Sequence, residues 1–278
     1  MSPMISRARV GRALGLVVLI AAAIIALGPL VWTLSTSLRT PAEAFVNPPA
    51  WIPVNPDWGN YSAVFEQIPL LSFFINSVIV TGLIVAGQTA TCMMSGYAFA
   101  MIRFPGRGKI FVLFLATMMV PLQATMIPVF VLIKWMGLAN SLSSLIVPAL
   151  GGAFGTFLMR QYFLQMPKEL GEAARIDGAS PLQVFWFVYA RMAVPPAAAL
   201  ATLNFSGFWS EFYRPLIFLS DQSTYTLPLG LVGLQGNLGT GSVSVVLAGV
   251  VVALVPSVLL FAFAQRYFIE GLTTGSFR

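Results

Sequence analysis

The segment Glu172-Ala-Ala-Arg-Ile-Asp-Gly-Ala-Ser180 is polar and charged, although very apolar sequence lies on both sides of it. The pattern predicts a short helix over 167–177, and Gly178 is typical of the turn that closes a helix. Two adjacent alanines within the segment allow another surface to approach closely, and the acidic residues around them supply charge. A short, charged helix of this kind indicates a surface for docking another protein rather than a catalytic centre.

Composition places this segment in a membrane protein. The chain is 58% hydrophobic and 9% charged, with a mean hydropathy of +0.85, whereas a soluble domain is about 25% charged. Roughly 20 apolar residues span a bilayer core, and the apolar runs are too continuous for the alternating strands of a barrel. We therefore predict an all-α integral membrane protein with six transmembrane helices, at 13–36, 72–100, 109–134, 141–163, 193–214 and 244–266. The apolar core of the first run is too long for a cleaved signal peptide, so we expect an uncleaved span.

The basic residues predict the orientation of these spans. Twelve of the 15 Lys and Arg residues fall on one side, and only Arg39, Lys134 and Arg214 fall on the other. By the positive-inside rule, both termini and the Glu172–Ser180 segment are cytosolic. The net charge of +6 comes largely from this bias, and the dispersed cations argue against nucleic-acid binding. The proline-rich loop 39–71 is then external, either as an interfacial aromatic belt or as a surface for an extracytoplasmic partner.

Several kinds of chemistry are excluded or disfavoured by the residues present. The chain has no histidine, which excludes a His-based metal site, and its single cysteine excludes an intrachain disulfide. The basic loop Arg103–Lys109 lacks the glycine spacing of a phosphate-binding loop. A membrane enzyme is therefore disfavoured, and energy for any transport has to come from a partner or an ion gradient.

One polar face in the fifth predicted span is a candidate transport site. Glu211 is an ionisable residue near membrane depth, which makes it a functional-site candidate by default. Asn204 and Phe208 recur with it at helical spacing, and Trp209 lies beside them. Two interpretations stay open: a polar, aromatic face lining a pathway, or an interfacial Glu211 that pairs with Arg214 at i, i+3.

Small and kink-forming residues mark the third and fourth spans. The prolines at 121, 128 and 148 permit kinks, because proline frees backbone carbonyls in a membrane helix. Gly151, Gly152 and Gly155 predict a face that allows close approach of another helix.

The chain resembles the permease subunits of carbohydrate importers of the ATP-binding cassette type, the maltose-importer class. The cytosolic signature of that family is E-A-A, three residues, G, nine residues, I-x-L-P. Here Glu172-Ala173-Ala174 and Asp177-Gly178-Ala179 match it at the required spacing. Val188 stands at the isoleucine position, and Ala190-Arg191 replaces Leu-Pro, which is a clear departure; Pro195 follows.

The likeness extends along most of the chain. It is carried by Asn76-Ser77, Met119–Gln123, Ile127-Pro128, Gly137-Leu-Ala-Asn140, Trp209-Ser210-Glu211-Phe212 and the C-terminal Gln265–Gly275. The tail is similar to the Q-R-x-x-x-x-G-L-T-x-G of the branch that imports carbohydrates and glycerol phosphate.

The resemblance implies a fold and a set of partners. Residues 1–278 form one permease domain of the type I importer fold, with a cytosolic docking loop 165–191. In that loop, Glu172, Ala173, Ala174, Asp177, Gly178 and Ala179 dock an ATPase subunit. The translocation-path candidates become Asn76, Gln123, Asn204, Phe208, Trp209 and Glu211.

The same resemblance implies how the importer is assembled and driven. A second permease, two ATPase subunits and an external solute-binding protein complete it in a bacterial or archaeal cytoplasmic membrane. The partner ATPases bind ATP and Mg, so this chain carries no cofactor of its own. The implied solute is a sugar or sugar-like molecule. Glycerol phosphate or a glycerophosphodiester is the alternative within the family, and an ion-coupled secondary transporter is the rival from another class.

Overall fold

A computed structural model describes residues 3–40, 43, 51–53, 55–236 and 241–274, and side chains between 11 and 263 except residue 13. The rest of loop 39–71 and the side chains of the tail motif 265–275 lie outside the described residues. The described part is helical and contains no strand. Its α-helices are α1 (Pro3–Ser37), α2 (Gly59–Gln67), α3 (Leu70–Met101), α4 (Arg107–Ala116), α5 (Leu122–Trp135), α6 (Leu142–Ala149), α7 (Ala153–Leu164), α8 (Glu169–Ile176), α9 (Pro181–Gln183), α10 (Ala190–Met192), α11 (Val194–Trp209), α12 (Tyr213–Phe218), α13 (Leu227–Gly230) and α14 (Val243–Thr274).

Among the described residues, further helical turns of 3₁₀ and π type connect these helices. Three of them are 3₁₀ turns, at Thr117–Met119, Gln222–Thr224 and Leu231–Gln235. A π-helical turn over Val184–Tyr189 joins α9 to α10.

The chain divides into two compact units, one of Met1–Leu70 with Leu231–Leu254 and one of Leu71–Gly230 with Val255–Arg278. All the predicted site residues lie in the second unit. In the first unit, Arg39 is 2% exposed, its guanidinium lies 4.6 Å from the Trp32 ring centroid, and its Nη2 donates to Ser35 Oγ at 3.0 Å. One of the three cations predicted on the external side is therefore buried against the end of α1.

Among the described residues, four helices are long and apolar enough to cross a membrane. They are Leu14–Ser37, Leu70–Met101, Leu142–Leu164, which comprises α6 and α7, and Val243–Phe263, close to four of the predicted spans. Two further pairs of helices reach that length only together, so the number of spans lies between four and six.

The first bent pair falls within the predicted third span, 109–134, and the second joins the end of the predicted docking loop 165–191 to the start of the predicted fifth span, 193–214. Arg107–Met119 and Leu122–Trp135 are bent by 105°, and Pro181–Met192 and Val194–Trp209 by 76°. Pro121 stands at the first break and cannot donate a backbone hydrogen bond to the preceding turn. The predicted fifth span, 193–214, is likewise not continuous, because its helix ends at 209 and a new one starts at 213.

The break between α6 and α7 is stabilised by polar side chains of α3. Helix α6 contains Pro148 and ends at Ala149, which leaves carbonyls without helical partners. Gln88 Nε2 donates to Ala149 O at 2.7 Å, and Thr91 Oγ1 donates to Leu150 O. Two polar side chains of the apolar helix α3 thus donate hydrogen bonds to the backbone carbonyls that the break leaves without helical partners.

The predicted small-residue face is confirmed at two of its three positions. A Cβ on Gly155 would lie 2.6 Å from Cys92 Sγ and 3.0 Å from Leu200 Cδ2. A Cβ on Gly152 would lie 3.1 Å from Gln88 Cδ, whereas Gly151 has open space. The start of α7 therefore packs tightly against α3.

Candidate docking helix and translocation cavity

Helix α8 ends as the sequence predicts, at a glycine in the left-handed region. Gly178 has φ +87°, its N–H donates to Arg175 O at 3.0 Å, and the N–H of Ala179 donates to Ala174 O at 2.9 Å. These two bonds form a Schellman motif, in which glycine avoids the steric penalty of a Cβ. The helix starts at 169, two residues after the predicted start.

The outer surface of α8 is exposed and mixed in character. Glu172, Ala173, Asp177 and Gly178 are exposed, while Ala174 and Ala179 are half-buried against the core beneath them. Sequence reasoning missed the apolar tip: Ile176 is 86% exposed. A branched apolar side chain surrounded by charge is well suited to enter a pocket on another protein.

The buried base of α8 is fixed by one glycine and one tyrosine that the sequence did not single out. Gly171 is buried, and a Cβ at this position would lie 2.7 Å from Tyr189 Oη. The Tyr189 hydroxyl donates to Pro167 O at 3.3 Å, just before the helix begins. The Tyr189 ring centroid lies 5.3 Å from that of Tyr97 on α3. Close packing therefore runs from α8 into the second predicted span.

The residues after α8 continue as helix where the resemblance predicts Leu-Pro. Ser180 forms a capping box with Gln183, since Ser180 N donates to Gln183 Oε1 at 2.8 Å and Gln183 N donates back to Ser180 Oγ. Ala190 is 6% exposed and Arg191 lies in the same short helix, with its guanidinium 5.5 Å from the Phe187 ring. The bend falls after this helix, where two prolines open α11.

A cavity of about 400 Å³ brings together three of the predicted path residues. Asn204, Phe208 and Glu211 all line it, with Gln88 from α3 and Leu122 from α5. The Nδ2 atom of Asn204 is buried and makes no hydrogen bond within the described part of the chain. A solute hydroxyl in the cavity would offer this amide a partner.

No group of three His, Cys, Asp or Glu side chains suited to a metal ion occurs among the described residues.

Glu211 also forms the ion pair that was the alternative interpretation. Arg214 Nε and Nη2 donate to its two carboxylate oxygens, and the side chains are 7% and 15% exposed for Arg214 and Glu211 respectively. Arg214 Nη1 donates to Leu145 O at 3.1 Å, and the guanidinium lies 5.2 Å from the Phe208 ring centroid. The Arg214 pair is therefore present, and because Glu211 also faces the cavity its role in a pathway stays a prediction.

Trp209 and Gln123 do not line this cavity. Trp209 is buried and stacks on Phe205, with ring centroids 5.4 Å apart and an interplanar angle of 8°. Gln123 is exposed next to Leu122, at the start of α5. The indole therefore packs against Phe205 of its own helix and edge-to-face against Phe74 of α3. Of Gln123 and its neighbour Leu122, only Leu122 lines the cavity.

Asn76 holds the backbone of a distant segment. Its Nδ2 donates to Ser223 O and Tyr225 O, both at 2.9 Å. The next residue, Ser77, accepts the N–H of Leu227 at 2.7 Å. The Asn-Ser pair at the start of α3 therefore fixes the segment between α12 and α13, and both amide hydrogens of Asn76 are committed to it.

Asn140 clamps the start of the same segment. It adopts φ +56°, and its Oδ1 accepts the N–H groups of Ser220 at 2.8 Å and Asp221 at 2.9 Å. Gly137 precedes it with φ +71°. Hydrogen bonds from Ser223, first from its N–H, hold the pKa of the Asp221 carboxyl below its usual range. The G-L-x-N pattern is thus explained by two left-handed positions and one side-chain clamp.

Comparisons with known proteins agree with the resemblance. The model of the family described as "Binding-protein-dependent transport system inner membrane component" matches residues 93–272. An arabinooligosaccharides transport system permease protein of Halalkalibacterium halodurans is 37% identical over 256 residues, which is 91% of each chain. A galactooligosaccharides transport system permease protein of Bacillus subtilis is 31% identical, over 91% of this chain and 90% of that protein.

More distant relatives cover the chain equally well. An sn-glycerol-3-phosphate transport system permease protein of Yersinia pestis is 29% identical over 92% of this chain and 94% of its own length. The crystal structure of a bacterial ABC transporter involved in the import of the acidic polysaccharide alginate contains a chain with a TM-score of 0.83. That chain is 25% identical, and the match covers 94% of this chain and 97% of that one. Since the family model matches more than half of its residues, this chain belongs to the binding-protein-dependent transport system inner membrane components.

Proposed function

We propose that this chain is a permease subunit of an ATP-driven importer that carries a sugar or sugar-like solute across the cytoplasmic membrane. The proposal is supported by relatives that are named as permeases of arabinooligosaccharide and galactooligosaccharide transport systems. Coupling of transport to ATP hydrolysis is supported above all by helix α8, because its Ile176 is exposed and its base at Gly171 is closely packed. The chain is a membrane subunit rather than an enzyme, and ATP is hydrolysed by partner subunits.

Within the importer, α8 is the element that docks a cytosolic ATPase. Glu172, Ala173 and Ala174 supply its face, and Asp177, Gly178 and Ala179 supply the turn that fixes its end. Gly171 contacts Tyr189, and Tyr189 contacts Tyr97 on α3. Because these contacts are closely packed, a displacement of α8 would also displace α3. ATP-driven closure of the ATPases would thereby reorient the spans.

The remaining partners follow from the family. A second permease pairs with this chain, each permease docks one ATPase, and an external binding protein delivers the solute. The chain is a single permease domain of six spans in the cytoplasmic membrane of a bacterium or archaeon. Both termini and the docking loop 165–191 lie in the cytosol. ATP and Mg are bound by the ATPases.

The chemistry of the 400 Å³ cavity favours a neutral, hydroxyl-rich solute. Asn204 offers an amide group, Gln88 offers its amide oxygen because its Nε2 already donates to Ala149 O, and Phe208 offers an aromatic face on which a sugar ring can pack. Glu211 accepts hydrogen bonds from hydroxyls but repels phosphate. The guanidinium that would attract a phosphate is already bound to Glu211 and Leu145 O. An oligosaccharide therefore fits this cavity better than glycerol phosphate.

Purification and reconstitution of the native complex test this function. The tagged chain, extracted gently from its host, is expected to bring an ATPase, a second permease and a solute-binding protein, which mass spectrometry identifies. In proteoliposomes, oligosaccharide uptake should require ATP and the binding protein, and glycerol 3-phosphate serves as the competing solute. Isolation of this chain alone, with uptake driven by a proton or sodium gradient, would instead establish a secondary transporter.

A further inference from the structure

A second cavity, of about 660 Å³, lies at the base of α8 and has an unusual charge. Its walls come from the end of α3, the following loop, α8 and the residues after it. The cationic side chains that line it are Arg103, Arg107, Lys168 and Arg175, and the only carboxylate among the lining residues is that of Glu172. The space is thus strongly electropositive.

None of these cations forms a salt bridge within the part of the chain that the structure describes, where Arg214 and Glu211 form the one ion pair. Arg107 is instead positioned by the backbone, because its Nη1 donates to Ala100 O at 3.3 Å and to Ile102 O at 3.1 Å. Like charges that converge on one cavity repel each other, and a bound anion would relieve that repulsion.

Membrane topology alone does not account for this arrangement. The positive-inside rule explains why the loops on this side are basic, but it requires only that the charges lie near the membrane. Lys109 and Arg191 satisfy the rule as exposed cations that do not line this cavity. The convergence of four others on one space is a further property, and two tyrosine hydroxyls, those of Tyr97 and Tyr189, lie in the same wall.

We propose that this cavity binds the phosphate group of an anionic molecule. Planar guanidinium groups and a flexible ammonium group are the side chains that best match phosphate oxygens, and the Tyr97 hydroxyl supplies a neutral donor; the hydroxyl of Tyr189 already donates to Pro167 O. The volume accommodates the phosphate together with a polar head the size of a sugar or glycerol unit. That chemistry is shared by an acidic lipid headgroup and by a soluble sugar phosphate. Since Glu172 and Arg175 of α8 form part of the wall, the occupant would contact the docking helix directly.

Binding measurements on the purified native complex in nanodiscs of phosphatidylcholine test the site. One arm adds a fraction of phosphatidylglycerol to the nanodisc, and the other adds glucose 6-phosphate, with glucose as the uncharged control. Binding is followed by native mass spectrometry and by the shift in melting temperature. Binding in the first arm only identifies a lipid headgroup, and binding in the second only identifies a soluble phosphate; either result supports the site.

Variants that remove cations test whether this cavity is the binding site. The double variant R103Q/K168Q is expected to weaken binding by about tenfold or more, on the scale of lost charge-assisted hydrogen bonds. K109Q/R191Q removes the same number of cations outside the cavity and should bind as the parent does. An unchanged melting temperature without probe shows that each variant is folded. Failure of both probes to bind the parent complex, or equal weakening in the two double variants, would overturn the site. Neither result would affect the assignment of α8 as the docking helix.

Discussion

Replacing Gly178 with proline is expected to abolish solute uptake while leaving the protein inserted in the membrane. Proline holds φ near −65° and lacks an N–H, whereas Gly178 has φ +87° and donates to Arg175 O. Strain at a disfavoured backbone conformation costs about 1–3 kcal/mol, and the lost hydrogen bond to Arg175 O adds about 1 kcal/mol, compared with the roughly 1.4 kcal/mol that changes an equilibrium constant tenfold. Uptake should therefore fall at least about tenfold, because α8 loses the turn that fixes its end.

The matched control is Gly178→Asn. Asparagine tolerates the left-handed region better than other residues with a Cβ and retains the N–H that donates to Arg175 O. This variant should keep most of the uptake, and both variants should reach the membrane in equal amounts. Normal uptake by Gly178→Pro would remove the docking role from this helix end.

Substitution Glu211→Ala is expected to have the second-largest effect, on both stability and transport. It would leave the Arg214 side chain, 7% exposed, without its carboxylate, and an uncompensated buried charge costs about 3 kcal/mol. The melting temperature of the purified subunit should therefore fall. Uptake per assembled importer should fall further, because the same carboxylate lines the 400 Å³ cavity.

A double variant separates these two contributions. Glu211→Ala combined with Arg214→Leu removes both charges, and replacing a buried ion pair by apolar residues is often close to neutral in stability. The double variant should regain the melting temperature, whereas uptake should remain low if Glu211 contacts solute. If uptake returned together with stability, Glu211 would be only the partner of Arg214.

The sequence predicts the fold best where a single local requirement decides it. Four apolar runs become helices of spanning length near their predicted positions, since length and hydropathy suffice for that inference. The end of α8 was predictable because a Schellman turn favours glycine. The 105° and 76° bends were not, because proline within an apolar run permits either a slight kink or a full break. Neighbouring helices decide between the two.

Of the residues that line the candidate cavity, the sequence predicted only those within one short segment, 204–211. Helical spacing placed Asn204, Phe208 and Glu211 on one face, and the structure brings all three to one cavity. Gln88 was not foreseen, because it reaches that cavity from α3 through tertiary packing. The role of Asn76 as a backbone clamp depends on residues about 150 positions away, a separation that no local pattern encodes.

The exposed tip of α8, the proposed docking surface, was missed for a different reason. An isoleucine in a short amphipathic helix normally faces the core, yet Ile176 is 86% exposed. The base of α8 faces inward through Gly171 instead, whose small size admits Tyr189. Only the packed structure distinguishes the buried glycine side of the helix from its exposed isoleucine tip.

Cross-linking from Ile176 tests the docking of α8 to an ATPase most directly. The single cysteine, Cys92, is first replaced by serine, which retains a donor for Gly152 O, and Ile176→Cys is introduced in that background. Met136→Cys, exposed in a turn on the opposite predicted side, is the matched control. A bifunctional thiol reagent should join residue 176, and not residue 136, to the ATPase subunit in the assembled importer. Labelling of residue 176 by a membrane-impermeant maleimide in intact cells, with no cross-link to the ATPase, would contradict both the cytosolic position of α8 and its docking role.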